Sequence, residues 1–326
     1  MATEFICSIR ATGGDYPTLT AWEAAIQTDL TSAKTKVYSH SGIVGIVGDG
    51  ALVSGASSGA TGTVRHASAT QVLVEIDAAS VDFTSGEQMQ VDASNYVTLT
   101  DAGDSAIAVA EGYADWPSGL GELVTVSGWT VNSTNYIIIR AATGNEHNGT
   151  PNTGFFLTGS IRYGAILTIQ QDYTKLVNVS LTNTGVNPAY GFDLFLSSIE
   201  LHKCVAYSVG GAAIRYNFND NLFINVMAIG DIVNNSLETR RPIFKNCTAR
   251  SYTVGSKGIE GTAINSVAYG GDFISNATGG WTASSDYNAS SNATTTPPPG
   301  ANSLTTDITP ADFVDTAAND YHLSSG

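Results

Sequence analysis

Six carboxylates lie between residues 193 and 260: Asp193, Glu200, Asp220, Asp231, Glu238 and Glu260, with Arg215, Arg240 and Arg241 among them. Carboxylates cleave glycosidic bonds when two converge across a groove, one as acid and one as base or nucleophile, often helped by Arg, Lys or Ca²⁺. Glu200 and Asp220 fall close to neighbouring repeats of the pattern described below. No two of the six recur at one phase in a way that forces proximity, and a carboxylate on a solvated face is the default. No catalytic, cofactor-binding or metal-binding residue is therefore assigned, no cofactor is expected, and the reading is non-enzymatic. The aromatic word Tyr216-Asn217-Phe218, with Phe192 and Phe195 one repeat earlier, suits a sugar-stacking face. The same residues serve equally as interior filling, which is the reading adopted. His40, His66, His147, His202 and His322 share no ligand spacing, and no CxxC or HExxH occurs.

The elements that would position these groups announce themselves by repetition. An apolar residue, any residue, Asn, a small or apolar residue, any residue, then Ala or Leu recurs as Leu176 to Leu181, Leu201 to Ala206, Phe223 to Ala228, Phe244 to Ala249 and Ala263 to Ala268. The marker positions are Asn178, Lys203, Asn225, Asn246 and Asn265, giving steps of 25, 22, 21 and 19 residues. Short β-type words at this period predict a solenoid, in which each coil buries its apolar face only against its neighbours. The Asn positions then form a turn ladder, since Asn tolerates left-handed backbone and stacked amides hydrogen-bond from coil to coil. Cys204 and Cys247 fall two coils apart, about 10 Å at 4.8 Å per coil, too far for a disulfide. With Cys7 they read as small buried hydrophobes.

Composition agrees. Only 13% of the residues are charged and 34 are Gly, which favours stacked strands and tight turns over helical bundles. With 14 basic and 29 acidic residues the net charge is -15, a field that disfavours nucleic acid and anionic membranes as partners. Residues Met1 to Ile6 carry no basic segment followed by a long apolar run, and no run of about twenty apolar residues occurs, so neither a leader nor a membrane span is read.

Along the chain, Phe5 to Ile9 reads as a strand. Thr20-Ala21-Trp22-Glu23 reads as a capping box opening a short helix to about Leu30, with Trp22, Ala25, Ile26 and Leu30 on its apolar face. Such a helix suits the lid of a solenoid's open end. Between 43 and 104 the texture changes to short strands broken by Gly and Ser, a small β-barrel or sandwich set into a loop. Excising it would make Lys36-Val37-Tyr38 and Ala108-Val109-Ala110 neighbours in one continuous strand region. From Leu123 the strands Leu123 to Val126, Tyr136 to Arg140 and Ala165 to Ile169 open the solenoid. Beyond Trp281 the Pro297-Pro298-Pro299-Gly300 stretch leaves it.

Two resemblances attach to these words. Ser58-Gly59-Ala60-Thr61-Gly62-Thr63-Val64, the apolar strand Val72 to Ile76 and Phe83-Thr84-Ser85-Gly86-Glu87 resemble a module common in tailed-phage structural proteins. Asp15 to Glu23, Val126-Ser127-Gly128-Trp129, Tyr136 to Ile139 and the terminal Asp320-Tyr321-His322-Leu323-Ser324-Ser325-Gly326 look like right-handed parallel β-helix proteins of the pectin-lyase-like class from phage and metagenomic genomes. The fold so implied is all-β: a right-handed parallel β-helix with an N-terminal capping helix and an inserted small β-barrel or sandwich. Its parts are residues 1–42 (strand and capping helix), 43–104 (insert), 105–285 (β-helix) and 286–326 (irregular C-terminal segment). The function implied is a non-catalytic phage virion protein, a capsid decoration or cement protein on the outer surface of the particle, made in the host cytoplasm. It would form a homotrimer and contact the major capsid protein or another virion protein. The alternative is a short tailspike that binds or cleaves a host-surface glycan.

Overall fold

The computed structural model describes residues 2–186, 189–217, 220–234, 242–250, 257–260, 262–269, 272–274, 288–290, 302–303, 308–309, 312–315 and 320–323. The fold is all-β, with one short α-helix among the described residues, and the chain divides into two compact units: Met1–Glu111 with Gly128–Ile138, and Gly112–Ser127 with Ile139–Gly326. Among the described residues no helix is long and apolar enough to cross a membrane.

In the first unit, β1 (Thr3–Ile9) is followed by α1 (Leu19–Ile26). The N-cap is Thr18, whose hydroxyl accepts from the Ala21 amide, and not Thr20 as the capping-box pattern suggested. The two-residue shift follows from burial: starting at Leu19 places Leu19, Trp22 and Ile26 on one inward stripe. The Glu23 carboxylate accepts from Trp129 Nε1 at 3.3 Å, and the Trp129 and Trp22 rings lie 5.7 Å apart.

The strands β2 (Thr35–Val44), β3 (Leu52–Gly55), β4 (Thr61–Ala67), β5 (Gln71–Ile76), β6 (Gln88–Asp92) and β7 (Asn95–Leu99) pair antiparallel in the order β2-β5-β4-β3-β6-β7. The ring closes where β7 returns to β2. The insert is thus a closed six-stranded barrel, not a sandwich. It draws its first strand from upstream of residue 43, since Thr35 to Ser39 pair with β5. Closure depends on a bulge in β2 between His40 and Ile43, where Gly42 has φ 131°; there β2 turns from β5 toward β7. Alternation fills the interior: Val72, Val74 and Ile76 of β5 join Tyr38, Val64, Phe83, Met89 and Val97 in one core. The strand β8 (Asp104–Gly112) runs antiparallel beside β2, with Lys36 opposite Ser105, so the two flanks of the insert lie side by side and not end to end.

In the second unit, β9 (Val124–Ser127) and β10 (Ile137–Ala141) precede strands that pair in parallel at the repeat period. One ladder stacks β13 (Thr174–Val177), β16 (Glu200–His202), β18 (Leu222–Ile224), β20 (Ile243–Lys245) and β23 (Thr262–Ile264). A second joins β11 (Phe156–Gly159) and β14 (Ser180–Asn183) to the first half of β17 (Val205–Tyr216). It continues through β19 (Met227–Asn234), β21 (Thr248–Arg250), β24 (Val267–Tyr269) and β26 (Ala289–Ser290). A third joins β9, β12 (Gly164–Gln170) and β15 (Ala189–Leu194) to the second halves of β17 and β19. The strands β22 (Lys257–Glu260) and β25 (Asp272–Ile274) also pair in parallel.

The repeat word maps onto these ladders position by position. Its first residues, Leu176, Leu201, Phe223, Phe244 and Ala263, are in register and fully buried, and the Phe223 and Phe244 rings stack 4.7 Å apart at 10°. Its last residues, Leu181, Ala206, Ala228, Ala249 and Ala268, form a second buried file. Every marker residue has left-handed backbone: φ is 56° at Asn178, 51° at Lys203, 54° at Asn225, 53° at Asn246 and 50° at Asn265.

Candidate functional site

The carboxylates singled out from sequence are tied into pairs within the second unit. Asp193 on β15 lies in register with Arg215 on β17, 2% exposed. Arg215 Nε donates to Asp193 Oδ1 at 2.8 Å, and its Nη2 donates to Oδ2. The guanidinium lies 4.0 Å from the Tyr190 ring centroid and 5.7 Å from that of Phe195. Its hydrogen bond to Asp193 raises the Arg215 pKa further above its ordinary value, so the group stays charged. Glu200 on β16 accepts from His202 Nε2 at 2.9 Å and sits 3.4 Å from the Nζ of Lys175, its register partner on β13. Asp220 occupies a left-handed turn position two residues before Leu222, and it is Leu222 that lies in register with Glu200. The two acids are not brought to one phase. The side chains of Asp231 and Glu260, and residues Glu238, Arg240 and Arg241, lie outside the described set. Phe192 and Tyr216 are interior; Phe195 is half-buried beside Arg215; Phe218 lies outside the described residues.

Three of the four Asn markers, Asn225, Asn246 and Asn265, form the ladder that their residue type predicted; Asn178, on the far side of Lys203, is not joined to it. Asn265 Nδ2 donates to Asn246 Oδ1 at 2.8 Å, and Asn246 Nδ2 donates to Asn225 Oδ1 at 3.0 Å. Lys203 interrupts the series. His147 Nε2 meets the Lys203 carbonyl at 2.5 Å, and a groove of about 520 Å³ opens over this break. Cys204, which lines this groove, and Cys247 are buried free thiols, each within reach of backbone carbonyls, and burial pushes both up to about 12. At neutral pH neither is a nucleophile.

The first unit holds a constellation that spacing did not reveal. His66 on β4 stands between two carboxylates: Nδ1 is 2.8 Å from Asp49 Oδ1 and Nε2 is 3.2 Å from Asp15 Oδ1. Tyr16 donates to Asp49 Oδ2 at 2.8 Å, and Ser8 donates to Asp15 Oδ2 through its amide and hydroxyl, both at 2.7 Å. Burial opposes the charge on His66, yet Asp15 and Asp49 outweigh it and push the imidazole up to about 9. Burial likewise opposes both carboxylates, and His66 with Ser8 or Tyr16 holds them below their ordinary range. At neutral pH this is a closed ion cluster with no free base. His40 is held neutral by burial, with Nδ1 accepting from the Gly42 amide at the bulge; the side chain of His322 lies outside the described residues.

Glu87 shows what the Phe-x-x-Gly-Glu word does. Its buried carboxylate accepts from the amides of Ser57, Ser58 and Thr84 and the hydroxyls of Ser57 and Ser58. Burial would raise this acid; the converging donors instead bring it down to about 2. Among the described residues no three His, Cys, Asp or Glu side chains are grouped to hold a metal ion. No protein-family model, no curated protein and no solved structure matches the chain.

Proposed function

We propose that the protein is a non-catalytic structural component of a tailed-phage particle, a head decoration or cement protein. In this reading the second unit is a right-handed parallel β-helix. The observation that carries the proposal is how the chemistry-bearing side chains are used. Asp193 is matched to Arg215 and Glu200 to Lys175 at register positions of adjacent strands, so both acids act as ties from one repeat to the next. Stiffness and display follow from such an arrangement, and the net charge of -15 keeps an exposed protein soluble. The phage-type word around residues 57–87 supports the same reading, because Glu87 and the serines it binds form one rigid corner. The partners proposed are two further copies of the chain and the major capsid protein.

The test is quantitative mass spectrometry of purified virions and of isolated heads. A fixed ratio to the major capsid protein is expected, together with lower heat resistance of particles stripped of the protein. Absence from purified heads sinks the proposal. A short tailspike that engages a host glycan is the second reading, favoured by the Arg215 guanidinium stacked on Tyr190 beside Phe195.

A further inference from the structure

Lys203 is the one marker residue without a side-chain amide, and its effect on the ladder defines a site. The ladder is directional, since Asn265 donates its amide N–H to the carbonyl of Asn246 and Asn246 donates to that of Asn225. An asparagine at 203 would accept from Asn225 Nδ2. Lysine has no acceptor to offer. The Asn225 amide N–H₂ and the Lys203 ammonium on the neighbouring strand turn, both on exposed residues, therefore have no protein partner among the described residues and face solvent. Both line the groove of about 520 Å³, together with His147, Asn148, Val205 and Met227.

We propose that this groove binds a single carboxylate carried on an apolar group, and that the carboxylate is the C-terminus of another polypeptide. Two unpaired donors, one of them charged, match the two oxygens of one carboxylate. Met227, 7% exposed in the groove lining, gives the terminal side chain a small apolar contact. The groove is larger than a carboxylate needs and falls in the range of sites for ligands the size of a short peptide, leaving room for the preceding residues. The net charge of -15 works against polyanions, so a ligand with one negative charge is favoured over nucleic acid or polyphosphate. This site stands on its own geometry, independent of any place in a virion.

The test is calorimetric titration of the full chain with four probes: an acetylated tripeptide ending in valine with a free carboxylate, the same peptide as its C-terminal amide, isovalerate, and inorganic phosphate. The free-acid peptide should bind, and the amide should lose about tenfold or more in affinity. Lys203→Asn separates binding from folding, because it completes the amide ladder. That variant should melt no lower than the parent while losing about tenfold or more in affinity for the acid peptide. Four outcomes overturn the proposal: no binding of the acid peptide at millimolar concentration, equal binding of the amide, undiminished binding by Lys203→Asn, or phosphate binding as tightly as the peptide. Isovalerate matching the peptide would overturn the chain terminus as the source.

Discussion

The two units tie their strands together in opposite ways. The barrel unit uses ties that occur once. His66 gathers Asp15 and Asp49 from separate loops, Glu87 gathers five donors from two turns, and Asp82 holds both Lys34 and Lys36. The ladder unit uses the same tie again and again: amide on amide, phenyl on phenyl, alanine on alanine. A closed antiparallel barrel presents each interior position only once, so each buried polar group needs its own partner. Parallel in-register strands present equivalent positions at every step, so one residue type at one place solves the problem along the whole stack. The barrel should therefore answer to pH and the ladders to packing.

The sharpest way to break the comparison is in the ladder unit, where one charged tie is buried among neutral ones. Arg215→Ala leaves Asp193 buried without its partner and should cost about 3–5 kcal/mol. Hydrogen exchange over β15, β17 and β19 should show it, and Asp193→Leu with Arg215→Met should recover most of the loss. An Arg215→Ala protein with parental protection there would mean the pair is idle.

The barrel unit should carry the pH dependence. His66 is raised from its ordinary 6.5 to about 9, so its contribution is complete below pH 6.5 and lost as pH rises through about 9. Allowing for the partial exposure of Asp49, the loss is on the order of 2 kcal/mol. Acid acts in the opposite sense. Glu87 contributes fully above its ordinary 4.5 and loses that contribution as pH falls toward about 2, with Asp15 and Asp49 following the same direction. Thermal melts read through Trp22 and Trp129 should fall between about pH 6 and pH 10, and His66→Gln should flatten that alkaline limb. An unchanged slope in the variant would remove the cluster from the account.

The smallest effect belongs to the amide ladder. Asn246→Ala removes two side-chain hydrogen bonds and puts a Cβ-bearing residue without a polar side chain at φ 53°, for about 1–2 kcal/mol. Asn246→Gly keeps the backbone relaxed and should cost less, which chemical denaturation of the two variants side by side would read. Equal losses would mean that the hydrogen bonds alone set the cost.

What could be read from the chain follows the same division. The Asn marker, the buried Leu/Phe file and the Ala file were legible because parallel stacking repeats residue types at equivalent positions. The His66 cluster was not, because residues 15, 49 and 66 sit in three segments whose spacing carries no signal. Thr20 misled because a capping-box spelling is local, whereas the start of α1 is set by which register buries Leu19. The exception at Lys203 was visible from the outset as the marker that was not Asn; only the direction of the amide ladder gave that exception a chemistry.

That direction also bears on how the chain is made. Each amide of the ladder donates backward, to an acceptor synthesised before it. At ribosomal rates on the order of 5–20 residues per second, each repeat of 19 to 25 residues emerges on the order of seconds after the one it docks upon. Local strand pairing takes on the order of microseconds. Every new repeat thus meets the preceding one already made, while the backbone amides of Asn225 and Asn246 donate forward, to the Lys245 and Ile264 carbonyls of the repeat still to come, so each turn is completed only when its successor docks.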